Sequence, residues 1–350
     1  MIQKLFIYNA QGTNPHENLA AEKVLMDALH PGEAMLYLWQ NFHTVVIGKN
    51  QNAWLECRTS LLEEEGGKLA RRLSGGGAVY HDLGNLNFTF LMCKEDYDLD
   101  KQIEVIRQAC ALAGVQVEKS GRNDLLADGR KFFGNAFYQD KIHAYHHGTL
   151  MVDVNMEKLG RYLSPPKAKL QAKGVASVRS RVVNLKELSP ALTIEAMRDN
   201  MIQAFQKVYG LPAEPYQPDA AAQAAIADLK AQYSSWEYLY GSSLAFSFSC
   251  EDKFDWGYIQ LQLDAKSGII GDAAVSTDAM DWTLSDSIVS VLKGCRFETE
   301  AMVSALRQAA LPDDVRADLC DLIRKQVLYT TGGRIPFRPF SAQVLCLFLL

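Results

Sequence analysis

Residues 71–85 of the chain read Arg71-Arg72-Leu73-Ser74-Gly75-Gly76-Gly77-Ala78-Val79-Tyr80-His81-Asp82-Leu83-Gly84-Asn85. Three consecutive glycines cost backbone entropy on folding, so their presence indicates a structural need. One such need is a close approach of the backbone to a ligand, with amide N–H groups turned towards an anion. The arginines add fixed positive charge suited to a carboxylate or a phosphate. The stretch predicts either an anion-binding loop or a plain glycine loop between strands, and it does not fit the Walker pattern Gly-x-x-x-x-Gly-Lys-Ser/Thr.

A hairpin pattern carries the second candidate site. Asp128-Gly129 stands between two apolar pairs, which is a strong signal for a β-hairpin. Lys131 follows this turn, and its ammonium could reach an acyl carbonyl and a phosphate together; a solvated hairpin lysine is the alternative. Asn123 and Asp124, just before the hairpin, could hold a magnesium ion or a ribose hydroxyl, or could cap a turn.

Three histidines close together raise the question of a metal site. His143, His146 and His147 lie in one apolar stretch. Strand alternation would put His146 and His147 on opposite faces, and no cysteine or clustered carboxylate nearby in the sequence completes a ligand set. We therefore predict no transition-metal site here. A histidine that bonds into a substrate pocket, or a structural histidine, is the favoured interpretation.

A basic run follows over residues 167–182, with a single glycine at Gly174. Such a loop could close as a lid over a nucleotide, as loops often do in enzymes. A solvated charged loop is the alternative.

Taken in order, these four runs resemble the lipoate–protein ligase A family. The pattern Arg-Arg-x-Ser-Gly-Gly-Gly-Ala-Val-x-His-Asp-x-Gly-Asn is matched in full, and Gly-Arg-Asn-Asp-Leu, Arg-Lys-x-x-Gly-Asn-Ala, His-His-Gly-Thr-Leu and Lys-Gly-Val-x-Ser-Val-Arg-Ser-Arg-Val also fit the family. The likeness covers at least residues 1–240. It extends further, because Ser235-Trp236-Glu237 and Phe254-x-Trp256-Gly257 are similar to the long, two-domain ligases.

The resemblance implies a site for lipoyl-adenylate. Lys131 would be the catalytic residue, in contact with the acyl carbonyl and the α-phosphate. Lys173 and Gly174 would belong to a loop that closes over the adenylate. The residues predicted to bind ATP or lipoyl-adenylate are Arg72, Ser74, Gly75, Gly76, Gly77, Ala78, Val79, Tyr80, His81, Asn85, Asn123, Asp124, Lys131, Gly134, Ala136, His147, Lys173 and Gly174. No metal fixed by the protein is implied, and magnesium would come with ATP, near Asp124.

The family also implies a reaction. The lipoate carboxylate would attack the α-phosphorus of ATP and release pyrophosphate, and a lysine of the carrier protein would then attack the mixed anhydride. The implied carriers are the acyltransferase subunits of 2-oxoacid dehydrogenases and the H-protein of glycine cleavage. The apolar dithiolane ring needs a hydrophobic slot, for which Leu19, Val46 and Val79 are candidate walls.

Three rival functions are weighed against this prediction. An ATP-independent octanoyl- or lipoyl-transferase on the same fold often uses a cysteine, but no cysteine lies between Cys110 and Cys250. A biotin–protein ligase would carry a Gly-Arg-Gly-Arg-x-Gly run, which is absent from the sequence. A non-catalytic protein would bind lipoate or carrier domains without releasing pyrophosphate. The preference between lipoate and octanoate is left open.

Length and element pattern predict two domains with an α+β fold. The resemblance implies a mixed-sheet catalytic domain of the biotin/lipoate ligase type over 1–244 and a small α+β accessory domain over 245–329. The tail over 330–350 is atypical and receives no functional weight. We predict strands over 2–8, 35–39, 44–47, 68–72, 78–81, 86–92, 145–152, 244–250, 256–264 and 268–276. We predict helices over 15–29, 100–113, 155–163, 191–209, 219–232, 282–292, 298–309 and 313–328.

Composition bounds the remaining possibilities. The hydrophobic fraction is 48% and the charged fraction 22%, as in a soluble globular protein. A net charge of -5 argues against a nucleic-acid partner. The seven cysteines form no Cys-x-x-Cys pair, and no segment resembles a signal peptide or a membrane helix. These features predict a cytoplasmic protein with no membrane partner, and we expect a monomer.

Overall fold

A computed structural model of the chain describes residues 1–120, 124–163, 182–240, 248–266 and 268–327. The predictions that concern Asn123, Lys173, Gly174 and the tail over 330–350 lie outside these residues. The chain divides into two compact units. The first comprises Met1–Leu244 together with Lys253–Ile259 and Ser276–Ser285, and the second holds the remaining described residues.

The strands and helices follow the predicted order closely. The strands are β1 (Lys4–Asn9), β2 (Glu33–Trp39), β3 (Thr44–Ile47), β4 (Lys68–Arg71), β5 (Val79–His81), β6 (Asn85–Cys93), β7 (Glu118–Ser120), β8 (Asp124–Ala127), β9 (Arg130–Lys131), β10 (Phe133–Gln139), β11 (His143–Met151), β12 (Ala213–Pro215), β13 (Phe248–Phe254), β14 (Gly257–Lys266) and β15 (Ile269–Thr277). The helices are α1 (Pro15–Asp27), α2 (Ala53–Glu56), α3 (Thr59–Glu64), α4 (Leu99–Leu112), α5 (Met156–Tyr162), α6 (Leu185–Leu188), α7 (Ile194–Tyr209), α8 (Ala220–Tyr233), α9 (Trp236–Tyr240), α10 (Leu284–Leu292), α11 (Thr299–Gln308) and α12 (Asp313–Val327). No helix among the described residues is long and apolar enough to cross a membrane.

A six-stranded mixed sheet is the frame of the first unit. Its strand order is β10-β11-β6-β2-β1-β12. The pairs from β10 to β2 are antiparallel, whereas β1 pairs in parallel with both β2 and β12. The predicted α+β class with a mixed sheet is therefore confirmed.

Both faces of this sheet are covered, as strand β2 shows. Ala34, Leu36 and Leu38 join one apolar cluster, which also contains residues of α4 and α7. Met35 and Tyr37 join a second cluster on the other face, with residues of α1. Because successive side chains of a strand point to opposite faces, a fully apolar strand indicates burial on both sides.

Helix α1 begins where the sequence predicts it. The Asn14 side chain accepts hydrogen bonds from the amides of His16 and Glu17, and Pro15 occupies the first helical position. These are the two ordinary signals of a helix start, since the first amides have no partner within the helix. The helix predicted from residue 191 instead begins at Ile194, because Thr193 caps it by accepting from the amide of Ala196.

Two small sheets complete the frame that positions the site. Strands β4-β3-β5 form one, in which β3 is parallel to β4 and antiparallel to β5, so the glycine-rich run lies in the connection from β4 to β5. Strands β7-β8-β9 form the other. The predicted hairpin turn between β8 and β9 is confirmed, with φ of 50° at Asp128 and 67° at Gly129, which is the backbone conformation that Asp-Gly turns favour.

The second unit has strands first and helices after them, as the sequence predicts. Strands β13-β14-β15 form a three-stranded sheet. Leu263 and Ile270 of the sheet are buried, as are Ile288, Leu306 and Ile323 of α10, α11 and α12.

Candidate functional site

One face of the six-stranded sheet carries a group of buried polar side chains. Two rows of paired residues cross strands β10, β11, β6 and β2, and paired residues share a face of a sheet. The first row is Gly134, Thr149, Asn87 and Trp39, and the second is Ala136, His147, Thr89 and Tyr37. Three of the predicted site residues, Gly134, Ala136 and His147, therefore lie together.

A buried chain of hydrogen bonds runs from the glycine-rich loop into this face. Ser74 Oγ lies 2.7 Å from His147 Nε2, and His147 Nδ1 lies 2.8 Å from Glu22 Oε1. The Thr89 hydroxyl donates to the same carboxylate oxygen at 2.8 Å, and the Trp39 indole N–H donates to Thr89 at 3.1 Å. The first three residues are each at most 5% exposed. A neutral His147 that donates from Nδ1 to Glu22 accepts the Ser74 hydroxyl proton at Nε2, which is the geometry that activates a serine.

Glu22 is a functional residue that the sequence reasoning missed. It lies three residues after Leu19 and three before Leu25, so it occupies the apolar stripe of α1 rather than the solvent side. A carboxylate is almost never buried unless it is paired. A glutamate within the buried stripe of a helix was therefore the signal that could have identified it.

The side chains of the two arginines before the loop donate hydrogen bonds to backbone carbonyls. Arg71 donates to the carbonyls of Gln51 at 2.6 Å and Lys49 at 2.8 Å. Arg72 donates to the carbonyls of Gly75 and Gly77, and its Nε also reaches Ser74 Oγ at 3.1 Å. Burial lowers the pKa of each guanidinium to about 10, so both remain charged at neutral pH. Arg72 thus orders the loop that carries Ser74, and its predicted contact with the adenylate stays a prediction.

The glycines are required by an approach of the chain to itself. A Cβ on Gly75 would lie 2.3 Å from the carbonyl oxygen of Ala279, and the amide of Gly76 donates to that same oxygen at 2.9 Å. Gly76 has a φ of 91°, which disfavours any residue with a side chain. The sequence left two reasons open for these glycines, an anion-binding loop or a plain loop; in this structure a backbone segment of the same unit lies against Gly75 and Gly76. The predicted role of Gly75, Gly76 and Gly77 in binding an anion stays a prediction.

Strand β5 divides its predicted site residues between two faces. Val79 packs against the apolar cluster that contains Trp39, and His81 lies edge-on to Trp39 with 6.3 Å between ring centroids. Tyr80 belongs instead to a separate buried cluster and packs against Tyr162. Its side chain therefore faces away from the site, and a contact from Tyr80 to the adenylate would have to come from its backbone.

His81 is held as a neutral donor. The Asn41 side-chain amide donates to His81 Nδ1 at 3.2 Å, and the Asn41 oxygen is fixed because it accepts from Asn18. Burial and the charge of Arg72 lower the pKa of His81 to about 3. A neutral imidazole that accepts at Nδ1 carries its proton on Nε2. That nitrogen is buried and has no hydrogen-bond partner among the described residues.

Lys131 lies on the two-residue strand β9 with an exposed side chain. Its carbonyl accepts from the amide of Val183 at 2.9 Å, so the segment after the basic run is paired with it. A Cβ on nearby Gly134 would meet nothing within 4 Å among the described residues, which leaves open space above the start of β10. Asp124 begins β8 and pairs with Ser120, but its side chain lies outside the described part of the chain.

Asn85 and the histidines occupy distinct positions. Asn85 donates to the Thr149 hydroxyl at 2.7 Å, on the same face as His147. His146 points to the other face, where its Nδ1 lies 3.1 Å from the Gln102 side-chain oxygen. The predicted separation of His146 and His147 onto opposite faces is confirmed.

One group of metal-ligand type exists among the described residues. It consists of Asp27, Asp140 and His143, so the carboxylates that seemed missing from the sequence neighbourhood of His143 are supplied by the fold. The Lys23 ammonium pairs with Asp27 and lies 3.7 Å from Asp140, so these carboxylates already have a cation beside them. This group belongs to the opposite end of β11 from Thr149.

Comparisons with known proteins place these observations in a family. The model of the lipoyl protein ligase A/B catalytic domain matches residues 14–206, and that of the bacterial lipoate protein ligase C-terminus matches residues 243–323. Lipoate-protein ligase A of Bdellovibrio bacteriovorus is 41% identical over 312 residues, which cover 87% of this chain and 92% of the relative.

Solved structures agree with this match. The crystal structure of P. falciparum LipL1 in complex with lipoate has a TM-score of 0.78 and 26% identity, and the match covers 91% of this chain and 99% of that one. A Thermoplasma acidophilum structure, described as a bi-partite lipoate protein ligase and its E2 lipoyl domain, has a TM-score of 0.62 and 25% identity. That match covers 71% of this chain and 100% of the other.

Proposed function

The chain belongs to the lipoate–protein ligase A family, and from this membership we propose that it activates lipoate with ATP and transfers the lipoyl group to a lysine of a carrier protein. The shared sheet face is the observation that carries the proposal. Strand β10 begins two residues after Lys131, and its residue Ala136 is paired with His147, which contacts the glycine-rich loop through Ser74. The glycine-rich loop and the buried polar cluster therefore meet at one sheet face, and Lys131 precedes the edge strand of that sheet, which supports the proposal.

The chemistry explains why such a surface suits this reaction. A carboxylate is a poor electrophile because its negative charge repels nucleophiles, and transfer to AMP turns its oxygen into part of a phosphate leaving group. Both steps develop negative charge near the α-phosphate and the acyl oxygen. The Lys131 ammonium would stabilise that charge, as preorganised donors do in sites that exclude water.

Magnesium would neutralise charge on the phosphates of ATP when bound. In proteins it is usually held by one or two carboxylates together with substrate phosphates. The group Asp27, Asp140 and His143 does not fit this role, since it includes an imidazole and a neighbouring lysine. We therefore propose that magnesium enters with ATP and lies near Asp124, at the start of β8, with no metal fixed by the protein itself.

The lipoyl carriers would be acyltransferase subunits of 2-oxoacid dehydrogenases and the glycine cleavage H-protein. Support for the first comes from the Thermoplasma acidophilum structure, which is named for a ligase and its E2 lipoyl domain. We propose a cytoplasmic monomer in which residues 1–244 carry the site and 245–329 form an accessory domain.

The test is to incubate the purified protein with ATP, magnesium and lipoic acid in the absence of any carrier. Mass spectrometry should detect lipoyl-AMP, with one pyrophosphate released for each adenylate. Addition of a lipoyl domain should then consume the adenylate and add one lipoyl group to that domain. Bound lipoate without any adenylate or pyrophosphate would contradict the proposal.

A second candidate function is favoured by the contacts of Ser74, His147 and Glu22. In an ATP-independent transferase, Ser74 Oγ would attack the thioester of an acyl carrier and give its proton to His147 Nε2. The carrier thiol would leave with that proton, and an acyl ester on Ser74 would remain for the acceptor lysine. Cysteine is a poor nucleophile here, because burial raises the pKa of Cys57 and Cys110 to about 12.

The two candidate functions differ in their need for ATP. Octanoyl-carrier and an acceptor domain, mixed with the protein but without ATP, should give no transfer if the ligase proposal is right. Transfer under these conditions, together with an acyl group found on the Ser74 peptide, would favour the transferase instead.

A further inference from the structure

Asn87 is a buried amide on strand β6, on the face of the sheet that carries His147. It is the third residue of β6 and is 0% exposed. Neither its Nδ2 nor its Oδ1 has a hydrogen-bond partner among the described residues. A buried polar group without a partner carries its full desolvation cost, so native proteins rarely retain one without a use.

The position of Asn87 connects it to the proposed acyl-binding face. It is paired with Trp39 on one side and Thr149 on the other, and Gly134 lies next in the same row. Two strand spacings separate Asn87 from Gly134, about 10 Å. That span is similar to the extended length of lipoate from its carboxylate to its dithiolane ring. If the carboxylate is activated at Lys131, beside Gly134, the ring lies at the depth of Asn87.

Apolar side chains share this face with the polar ones. Trp39, Leu19, Val46 and Tyr145 belong to one buried cluster, which includes two of the slot walls expected from the sequence. The indole N–H of Trp39 is already bonded to Thr89. The Asn87 amide is therefore a polar group with open hydrogen-bonding capacity, among the described residues, on the face that carries two of the expected slot walls.

We propose that Asn87 is a specificity-determining residue that recognises the sulfur atoms of the dithiolane ring. Its Nδ2–H would donate to a ring sulfur, so that the acid with a disulfide ring is preferred over an acid with a plain hydrocarbon tail. Sulfur is a weak hydrogen-bond acceptor, but in a slot without water even a weak hydrogen bond to the Asn87 amide is more favourable than leaving that amide unpaired. Octanoate offers only C–H groups at this depth and would leave the amide unpaired.

This inference rests on the proposed function, because it assumes that lipoate is the ligand. The test is therefore made on binding rather than on turnover. Titration calorimetry would compare lipoate, octanoate and 5-cyclopentylpentanoate, which carries a five-membered ring without sulfur, on the wild type and on Asn87→Leu. Leucine has a similar size and lacks the amide.

We expect the wild type to bind lipoate about tenfold more tightly than 5-cyclopentylpentanoate. Asn87→Leu should remove most of this preference, because the variant has no amide that an apolar ligand would leave without a hydrogen bond. The octanoate affinity should rise in the variant. If Asn87→Leu does not fold, Asn87→Ala supplies the same comparison, since alanine also lacks the amide and is smaller than asparagine.

Tyr209→Phe is the matched control, because the Tyr209 hydroxyl is also a buried polar atom without a partner among the described residues. Tyr209 lies on helix α7, whose residues pack on the face of the sheet opposite to Asn87. Tyr209→Phe should leave the ligand preference unchanged. An equal loss of affinity for all three acids in Asn87→Leu would overturn the inference, since Asn87 would then contact the carboxylate they share. An unchanged preference would overturn it as well.

The proposed function can fail separately from this inference. Sulfur-dependent binding without formation of lipoyl-AMP would reject the ligase activity and keep the role of Asn87. Formation of lipoyl-AMP together with equal binding of lipoate and 5-cyclopentylpentanoate would support the ligase activity and reject the role of Asn87.

Discussion

Lys131 is the residue for which we propose a direct role in the reaction. Its side chain is exposed on a two-residue strand, and its carbonyl accepts a hydrogen bond from the amide of Val183. We expect Lys131→Ala to lower the rate of pyrophosphate release by about 10²- to 10³-fold, because one preorganised donor is lost. The free energy of unfolding should change by less than about 0.5 kcal/mol, as for other surface positions. Both are measured on the same preparation, by a pyrophosphate assay and by urea denaturation.

Lys119 is the matched control for this substitution. It lies on β7 of the same small sheet, and it is exposed and pairs with Asp100 at 3.0 Å. Lys119→Ala should keep the activity of the wild type. Turnover near the wild-type rate in Lys131→Ala, at saturating ATP and lipoate, would exclude the role given to Lys131.

The sequence predicted single residues unevenly, and the reason is physical. Ser74 and His147 stand in contiguous motifs, so they could be named without any tertiary contact. Glu22 lies on α1, whereas Asn87 and Thr89 lie on β6, and a role for these residues can be inferred only when the fold brings the two elements together. Hydrogen bonds between residues far apart in the chain leave no local pattern to read.

At the scale of elements, the glycine-rich loop offers a test of close approach. Gly75→Ala would place a Cβ 2.3 Å from the Ala279 oxygen, so the backbone must shift. We expect a loss of about 1–3 kcal/mol in the free energy of unfolding, the usual cost of overpacking. Gly160→Ala, within α5, is the comparison, because a Cβ there meets no described atom within 4 Å. It should stabilise the protein by about 0.5–1 kcal/mol. Equal effects of the two substitutions would contradict the close approach at Gly75.

Helix α1 provides a second test at this scale, since it presents Glu22 to the site. The Asn14 side chain satisfies two of its first amides. Asn14→Ala should lower the free energy of unfolding by about 1 kcal/mol, whereas Asn14→Asp should restore most of it. Urea denaturation of the three proteins measures the difference. If Asn14→Asp were as unstable as Asn14→Ala, the cap would not be the source of the effect.

Long helices and strands were predicted well because their apolar residues repeat several times at the spacing of the element. The helix Ala220–Tyr233 and the strand Ile269–Thr277 differ from the predictions by one residue at each end. The missed elements are short, as with β12 (Ala213–Pro215) and α6 (Leu185–Leu188). Three or four residues cannot show a period, and such pieces form because a neighbouring strand or a cap supplies their hydrogen bonds.

At the scale of the whole molecule, two buried histidines couple stability to pH. Burial, with smaller effects of nearby charges, lowers the pKa of both His81 and His146 to about 3, against 6.5 for the exposed group. The unfolded chain therefore binds more protons than the folded one between these values. Their contribution to stability is complete above pH 6.5 and is lost as the pH falls towards 3. Each histidine should add up to about 1.4 kcal/mol per pH unit to this loss.

Urea denaturation at pH 7, 6, 5 and 4.5 measures this slope. His146→Phe removes one titrating group from a site already lined by the rings of Phe88, Phe90 and Phe137, so it tests the assignment directly. We expect the free energy of unfolding of this variant to depend less steeply on pH. This holds even if the variant is less stable at pH 7, where the Gln102 side-chain oxygen no longer has its hydrogen bond with His146. An unchanged slope would show that His146 does not remain neutral in the folded protein.

The parallel pairing of β1 with β12 has a consequence for how the protein is made. Leu5 is paired with Ala213, so more than half of the chain must leave the ribosome before the sixth strand can be added. Until then β1 exposes the hydrogen-bonding groups of an open sheet edge, to which other nascent chains can add. Synthesis that stalls before residue 213 should therefore yield aggregates. The yield of folded protein should increase with the rate of translation through that point and with the binding of chaperones to β1 until β12 has been made.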